Sequence, residues 1–178
     1  MPTARGTLLR TYLLGETSLI VVWCTPLGLV KTVAKGAKKP KSPFFGQLDL
    51  FFDCEISWSE SKSSDLHSLK SALMLNSRLG LRSHYNKLRT ASYYSKLLLS
   101  VLEPDLPCPE AHDLLERALL YLEQNVPKPV AITHFEKELA KIQGIYTPSI
   151  SAHILLENHF GKLPAIRNDL LATLKANT

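Results

Sequence analysis

A chain of 178 residues, 45% hydrophobic and 21% charged, is long enough to bury a core in one domain or two small ones, which excludes a disordered or collagen-like polymer. Three cysteines, Cys24, Cys54 and Cys108, are too few and too widely spaced for a disulfide framework or a zinc module, and they suggest a reducing, cytoplasmic setting. The formal net charge of +5 sits in one window: Lys31, Lys35, Lys38, Lys39 and Lys41 stand with no acid among them, leaving sixteen basic residues against sixteen acidic elsewhere.

From Gly6 to Leu14 the chain reads as a first strand, closed by a Gly15-Glu16 turn. Ser18 to Thr25, nearly all β-branched or aromatic, is a second, and Pro26-Leu27-Gly28 turns it into a third over Leu29 to Lys35. The lysine window follows as a flexible loop punctuated by Gly36 and Pro40. Beyond Phe44-Phe45-Gly46, Leu48, Leu50, Phe52, Cys54, Ile56 and Trp58 alternate with Asp49, Phe51, Asp53, Glu55 and Ser57, which predicts a strand with one buried and one acidic, solvated face. Leu66 to Leu75 fits a helix through Leu66, Leu69 and Leu73, or a strand presenting Leu69, Ser71, Leu73 and Leu75 on one face; the strand is the preferred reading. Five strands of this size predict a small closed barrel of the OB type, with an SH3-like barrel as the other solution.

From about Leu79 the apolar spacing becomes helical. Helices are expected from there to Pro104, from Pro109 to about Asn125, from Pro129 to a cap at Gly144, from Thr147-Pro148 to Phe160, and from about Ala165 to Lys175. The expected class is therefore α+β, an OB-type barrel over 1–78 followed by an α-helical domain over 79–178.

Charge is uneven along the chain: residues 1 to 102 hold fourteen Lys and Arg against six Asp and Glu, and the remainder seven against ten. A lysine loop on a β scaffold suits a polyanion, because each neutralised phosphate releases counterions whatever the base sequence. Arg10 on the first strand, and Arg78, Arg82 and Arg89 further on, extend the expected basic track. Tyr12 beside Arg10, and Phe44 and Phe45 at the end of the loop, could stack bases, although barrel closure explains such aromatics as well. No phosphate-cradling glycine loop, nucleophile elbow or metal-spaced histidine pair stands in the sequence, so no catalytic residue and no cofactor or metal is expected. Asp49, Asp53 and Glu55 are spaced poorly for a nuclease metal site and read as a solvated face. The apolar run Leu19 to Cys24 is far too short for a membrane span, so no membrane partner is expected.

The segment Gly15-Glu16-Thr17-Ser18-Leu19-Ile20, then Gly28, then Val33-Ala34-Lys35-Gly36-Ala37-Lys38-Lys39-Pro40-Lys41-Ser42, resembles the amino-terminal domain of the bacterial RecO family. Ala91-Ser92-Tyr93-Tyr94 with Leu97-Leu98-Leu99, and His134-Phe135-Glu136 with Leu139 and Gly144, are similar to its helical part. The resemblance implies an OB-fold and a helical domain, and a cytoplasmic, nucleoid-associated, non-enzymatic recombination mediator. Such a protein binds single- and double-stranded DNA, anneals complementary strands, contacts the acidic tail of single-strand-binding protein, and works with RecR, RecF and RecA. Two departures stand out. Gly144-Ile145-Tyr146-Thr147-Pro148 runs on without the four-cysteine zinc module of many members, so a compact, metal-free form is expected. Thr133-His134 replaces the family's basic pair, leaving Lys137, Lys162 and Arg167 as the candidates for partner binding. The other reading is a protein-interaction adaptor whose lysine loop is only solubilising.

Overall fold

The computed structural model describes residues 1–176, so the last two residues of the expected 79–178 domain lie outside the described ones. The strands β1 (Thr3–Leu14), β2 (Ser18–Thr25), β3 (Gly28–Ala34), β4 (Asp53–Ser59) and β5 (Leu66–Asn76) form a closed barrel in the order β1-β2-β3-β5-β4. All neighbours are antiparallel except β3 and β5, and β4 closes on β1 from Thr3 opposite Ser57 to Thr7 opposite Asp53. This is the five-stranded OB-type barrel expected from the sequence. Leu8, Val21, Trp23, Val30, Ile56, Trp58 and Leu69 fill it. The indole N–H of Trp23 donates to Thr32 Oγ1 at 2.9 Å, so the largest core side chain buries no unmatched donor.

Several expectations are corrected. The first strand starts at Thr3, because Thr3 to Arg5 have β4 beside them, and the third ends at Ala34, which makes Lys35 the first residue of the loop. The alternating run does not form one strand from Leu48. Phe51 has φ 68°, its N–H bonds to the Leu8 carbonyl, and Phe51 and Phe52 are both buried, so the period of two begins only at Asp53. Its second face is acidic and solvated only in part: Asp49 and Glu55 are exposed, but Asp53 is wholly buried and clasped by Arg5, with Nε 2.9 Å from Oδ1 and Nη2 2.5 Å from Oδ2. That ion pair also removes the central carboxylate from any metal site, and among the described residues no group of three or more His, Cys, Asp or Glu could hold a metal ion.

The ambiguous segment is a strand, β5, but it does not keep one face. Opposite β5, Ser57 pairs Ser71 while Trp58 pairs Leu69, so Lys70 is skipped as a bulge. Beyond it Ala72 and Met74 pack on the core, and Leu73 and Leu75, 58% and 51% exposed, turn outward.

Leu102–His112 packs with the barrel as part of one compact unit. There the Asp105 N–H donates to the Leu29 carbonyl at 2.9 Å, and His67 Nε2 lies 3.2 Å from Asp105 Oδ1.

The second unit comprises residues 79–101 and those from Asp113 on. It opens with a 3-10 turn, Leu79–Ser83, and continues through α1 (Tyr85–Val101), α2 (Pro109–Gln124, whose first turn as far as His112 belongs to the barrel unit), α3 (Pro129–Ile142), α4 (Ala152–Phe160) and α5 (Ile166–Ala176). The fourth helix starts at Ala152 instead of Thr147-Pro148: Ile150 N–H closes a turn onto Thr147, and Ser151 takes the capping position. In the core of this unit the Tyr94 and Phe135 rings stack at 4.0 Å, and the Tyr94 hydroxyl donates to the Ala131 carbonyl at 2.9 Å. No helix of the described residues is long and apolar enough to cross a membrane.

Candidate nucleic-acid interface

Strand register places the candidate site residues of the barrel. Residues opposite one another across a sheet share a face, and the core lies on the face of Val21, Trp23 and Ala34. The other face therefore carries the row Arg10, Val22, Lys31, Leu66 and, one pleat along, Tyr12, Ile20, Val33, Ser68. A groove of about 440 Å³ opens on this face, with Val33, Ser68, Lys35, Lys70 and the acid Glu60 among its lining residues. The Arg10 guanidinium lies 4.7 Å from the centroid of the Tyr12 ring. Lys31 is the lysine of the window that meets an acid, with Nζ 2.6 Å from Asp65 Oδ2. That pairing, by hydrogen bond and charge, holds the Asp65 carboxyl below its ordinary value.

The lysine loop expected from its glycine and proline leaves β3 at this edge, and its backbone is anchored to the barrel. Gly36 N–H donates to Ser18 Oγ at 3.1 Å and Lys38 N–H to the Thr17 carbonyl at 2.9 Å, tying the loop to the turn between β1 and β2. Successive turns then run from Gly36 to Lys39, Lys39 to Ser42, Ser42 to Phe45 and Phe44 to Gln47. Ala37 and Phe44 sit inside the barrel core, while Lys35, Lys38, Lys39 and Lys41 are exposed. None of these four has an ion-pair partner among the described residues. Phe44 closes the barrel and Phe45 is exposed.

The structure thus brings Arg10, Lys31, Lys35, Lys38, Lys39 and Lys41 into one unit. Two of the three arginines expected to extend the track are not open surface cations. Arg78 is 3% exposed at a φ of 48°, buried at the end of the barrel segment. Arg89 belongs to the helical unit, where it is tied to Asp169 and donates to Thr173 Oγ1 at 3.1 Å, its side chain 12% exposed. Arg82 is exposed in the same unit. Tyr12, read from the sequence as a possible base stacker, and Lys70, one of the basic residues after Leu66, do lie on this barrel face. Asp65 joins them through Lys31, and its only signal was adjacency across the barrel, which a linear reading does not carry.

Of the partner-binding candidates, Lys137 is exposed with Nζ 5.5 Å from the Tyr146 ring centroid, and Lys162 is exposed. Arg167 is not a surface cation: it is buried against Glu136, for which Nε reaches Oε1 at 2.6 Å. The helical unit instead offers a pocket of about 340 Å³ between α2 and α3, walled by Leu114, Ala118, Tyr121 and Phe135, with Arg117 and His134 also lining it.

Two family models match the chain: Recombination protein O N terminal over residues 1–78, and Recombination protein O C terminal over residues 82–155. The chain belongs to the RecO family. It is similar to the DNA repair protein RecO of Cyanothece sp., 33% identical over 128 residues, which make up 71% of this chain and 43% of that one. It is likewise similar to the DNA repair protein RecO of Rhodopirellula baltica, 28% identical over 137 residues (76% and 51%), and to that of Gloeothece citriformis, 29% over 143 residues (80% and 50%). The chain spans about half the length of the curated relatives it matches. The amino-terminal RecO model covers the whole barrel, including the lysine loop and the outer face, and the carboxy-terminal one covers α1 to α3 with Phe135 and Glu136.

Proposed function

We propose that this chain acts in recombinational DNA repair by binding the phosphate backbone of single- and double-stranded DNA and annealing complementary strands, with no covalent step. The observation that carries the reading is the loop: four exposed lysines without acidic partners, mounted on a backbone pinned into the barrel core. Arg10, Lys31 and Lys70 continue the charge along the outer face. Neutralising two strands on one surface lowers their mutual repulsion, and the gain comes from counterion release, which does not depend on base sequence. Membership of the RecO family supports the same role and extends it to RecR, RecF and RecA, with which the chain would help load RecA on coated single strands. The apolar pocket between α2 and α3 suits the acidic tail of single-strand-binding protein. His134 lies at that pocket, at the position where the sequence departs from the family's basic pair, with Lys137 and Lys162 as further cations on the unit.

The test is binding of a fluorescent single strand by the wild type and by a variant with Lys35, Lys38, Lys39 and Lys41 changed to alanine, across a salt series. The variant is expected to bind more weakly, with its log-log salt slope reduced by about 0.7 for each phosphate it no longer neutralises. Superimposed curves would reject the loop as the DNA site and leave the adaptor reading, in which the helical pocket carries the function.

A further inference from the structure

The outer face of the barrel orders its chemistry in rows. Arg10 and Lys31 lie in one row, and Lys35 and Lys70 border the groove beyond the next. Between them runs an apolar row made of Tyr12, Ile20 and Val33. Tyr12 is 44% exposed although the Arg10 guanidinium covers part of its ring, and Ile20 and Val33 are half-buried. A duplex presents only phosphates and sugars along its flank and has nothing to place on an apolar strip. An unpaired strand has phosphates on one side and base faces on the other, and an aromatic ring beside cations accepts those faces whatever the base.

We infer that Tyr12 is a base-stacking residue which, with Ile20 and Val33, makes this face prefer unpaired over paired DNA. The inference rests on the DNA-binding reading above and deepens it: the lysines supply affinity for any strand, and Tyr12 supplies the preference for exposed bases. The guanidinium over the ring fixes its orientation and adds positive charge next to the stacked base.

The experiment uses a thymidine oligonucleotide carrying one central 2-aminopurine, the matching duplex, and an abasic strand of equal length. With wild type, the 2-aminopurine emission should be quenched on binding, and the thymidine strand should bind more tightly than the abasic one. Tyr12→Ser should abolish the quench and weaken single-strand binding by roughly fivefold or more, while leaving duplex and abasic binding unchanged. Tyr12→Phe should behave as wild type, because the stacking surface is kept; a melting curve confirms that both variants fold. The inference is overturned if wild type binds the abasic and thymidine strands equally, if Tyr12→Ser changes neither quench nor affinity, or if Tyr12→Phe loses binding as the serine variant does. Absence of binding to all three ligands at low salt would instead reject the DNA reading itself.

Discussion

Arg167 on α5 grips Glu136 on α3 along one edge of its guanidinium, Nε 2.6 Å from Oε1 and Nη2 2.9 Å from Oε2, and the Tyr93 hydroxyl donates to the same Oε1 at 2.6 Å. The three groups come from separate helices and are almost wholly removed from water, so each depends on the others for its hydrogen bonds. Arg167→Met leaves the carboxylate buried with one donor, and is expected to cost about 3–5 kcal/mol in urea unfolding. Adding Glu136→Leu to that variant should recover part of the loss, since no buried charge then remains. A single-variant cost below about 1 kcal/mol would show that Glu136 reaches water instead.

Asp65 pairs with Lys31, so on the proposed DNA-binding reading it competes with phosphate for that lysine. Asp65→Asn is expected to strengthen single-strand binding at low salt and to steepen the salt slope by about 0.7, the increment for one further phosphate neutralised. An unchanged slope would mean that the pair already opens in the complex. The wild type should approach the variant as pH falls below the ordinary carboxylate range, because Lys31 holds the Asp65 carboxyl low and the ion pair breaks only once that group protonates.

Burial, and then the neighbouring Asp53 charge, push the Cys54 thiol up to about 12. A folded-state value raised above the unfolded value, about 8.5 for a free thiol, stabilises the fold fully below that value and less as pH climbs toward 12. Burial raises the phenols of Tyr93 and Tyr94 in the same sense. The urea midpoint should therefore fall steadily above about pH 9, and Cys54→Ala should flatten part of that fall. Thiol-reagent titration of the native protein at pH 8 should report Cys108 and leave Cys24 and Cys54 unreacted, in keeping with their burial.

Gly28 tests how Leu102–His112 is attached to the barrel. Its φ is 97°, and a Cβ placed there would lie 2.2 Å from the Leu106 carbonyl oxygen, against backbone that cannot swing aside. Gly28→Ala is expected to lower stability by about 1–3 kcal/mol, from left-handed strain together with the clash. A melting temperature equal to the wild type would show that residues 102–112 lift away without cost.

Much of the barrel was legible because its strands are bounded by turn chemistry: Gly15-Glu16 and Pro26-Leu27-Gly28 bracket Ser18–Thr25 to the residue. Failures occurred where a single backbone event overrode the pattern. The left-handed Phe51 ends an alternation that looks continuous in the sequence, and the bulge at Lys70 sends Leu73 and Leu75 to the face opposite the one their spacing gives. The lysine cluster was plain from charge alone. Which cations were free to act was not, because Arg89 and Arg167 are neutralised by acids 80 and 31 residues away. Charge counting along a chain sees composition and cannot see such long-range pairing.

The insertion of Ala37 and Phe44 into the barrel interior has a thermodynamic consequence for the lysines between and around them. The spacing of those charges is inherited from the packing of two apolar residues, so occupancy of the surface and integrity of the core become linked equilibria. A polyanion that engages several loop lysines at once stabilises the seat of Phe44. Conversely, a truncation such as Phe44→Ala, which removes no charge, is expected to disperse the cationic array and to weaken the proposed DNA binding while the lysines themselves are intact.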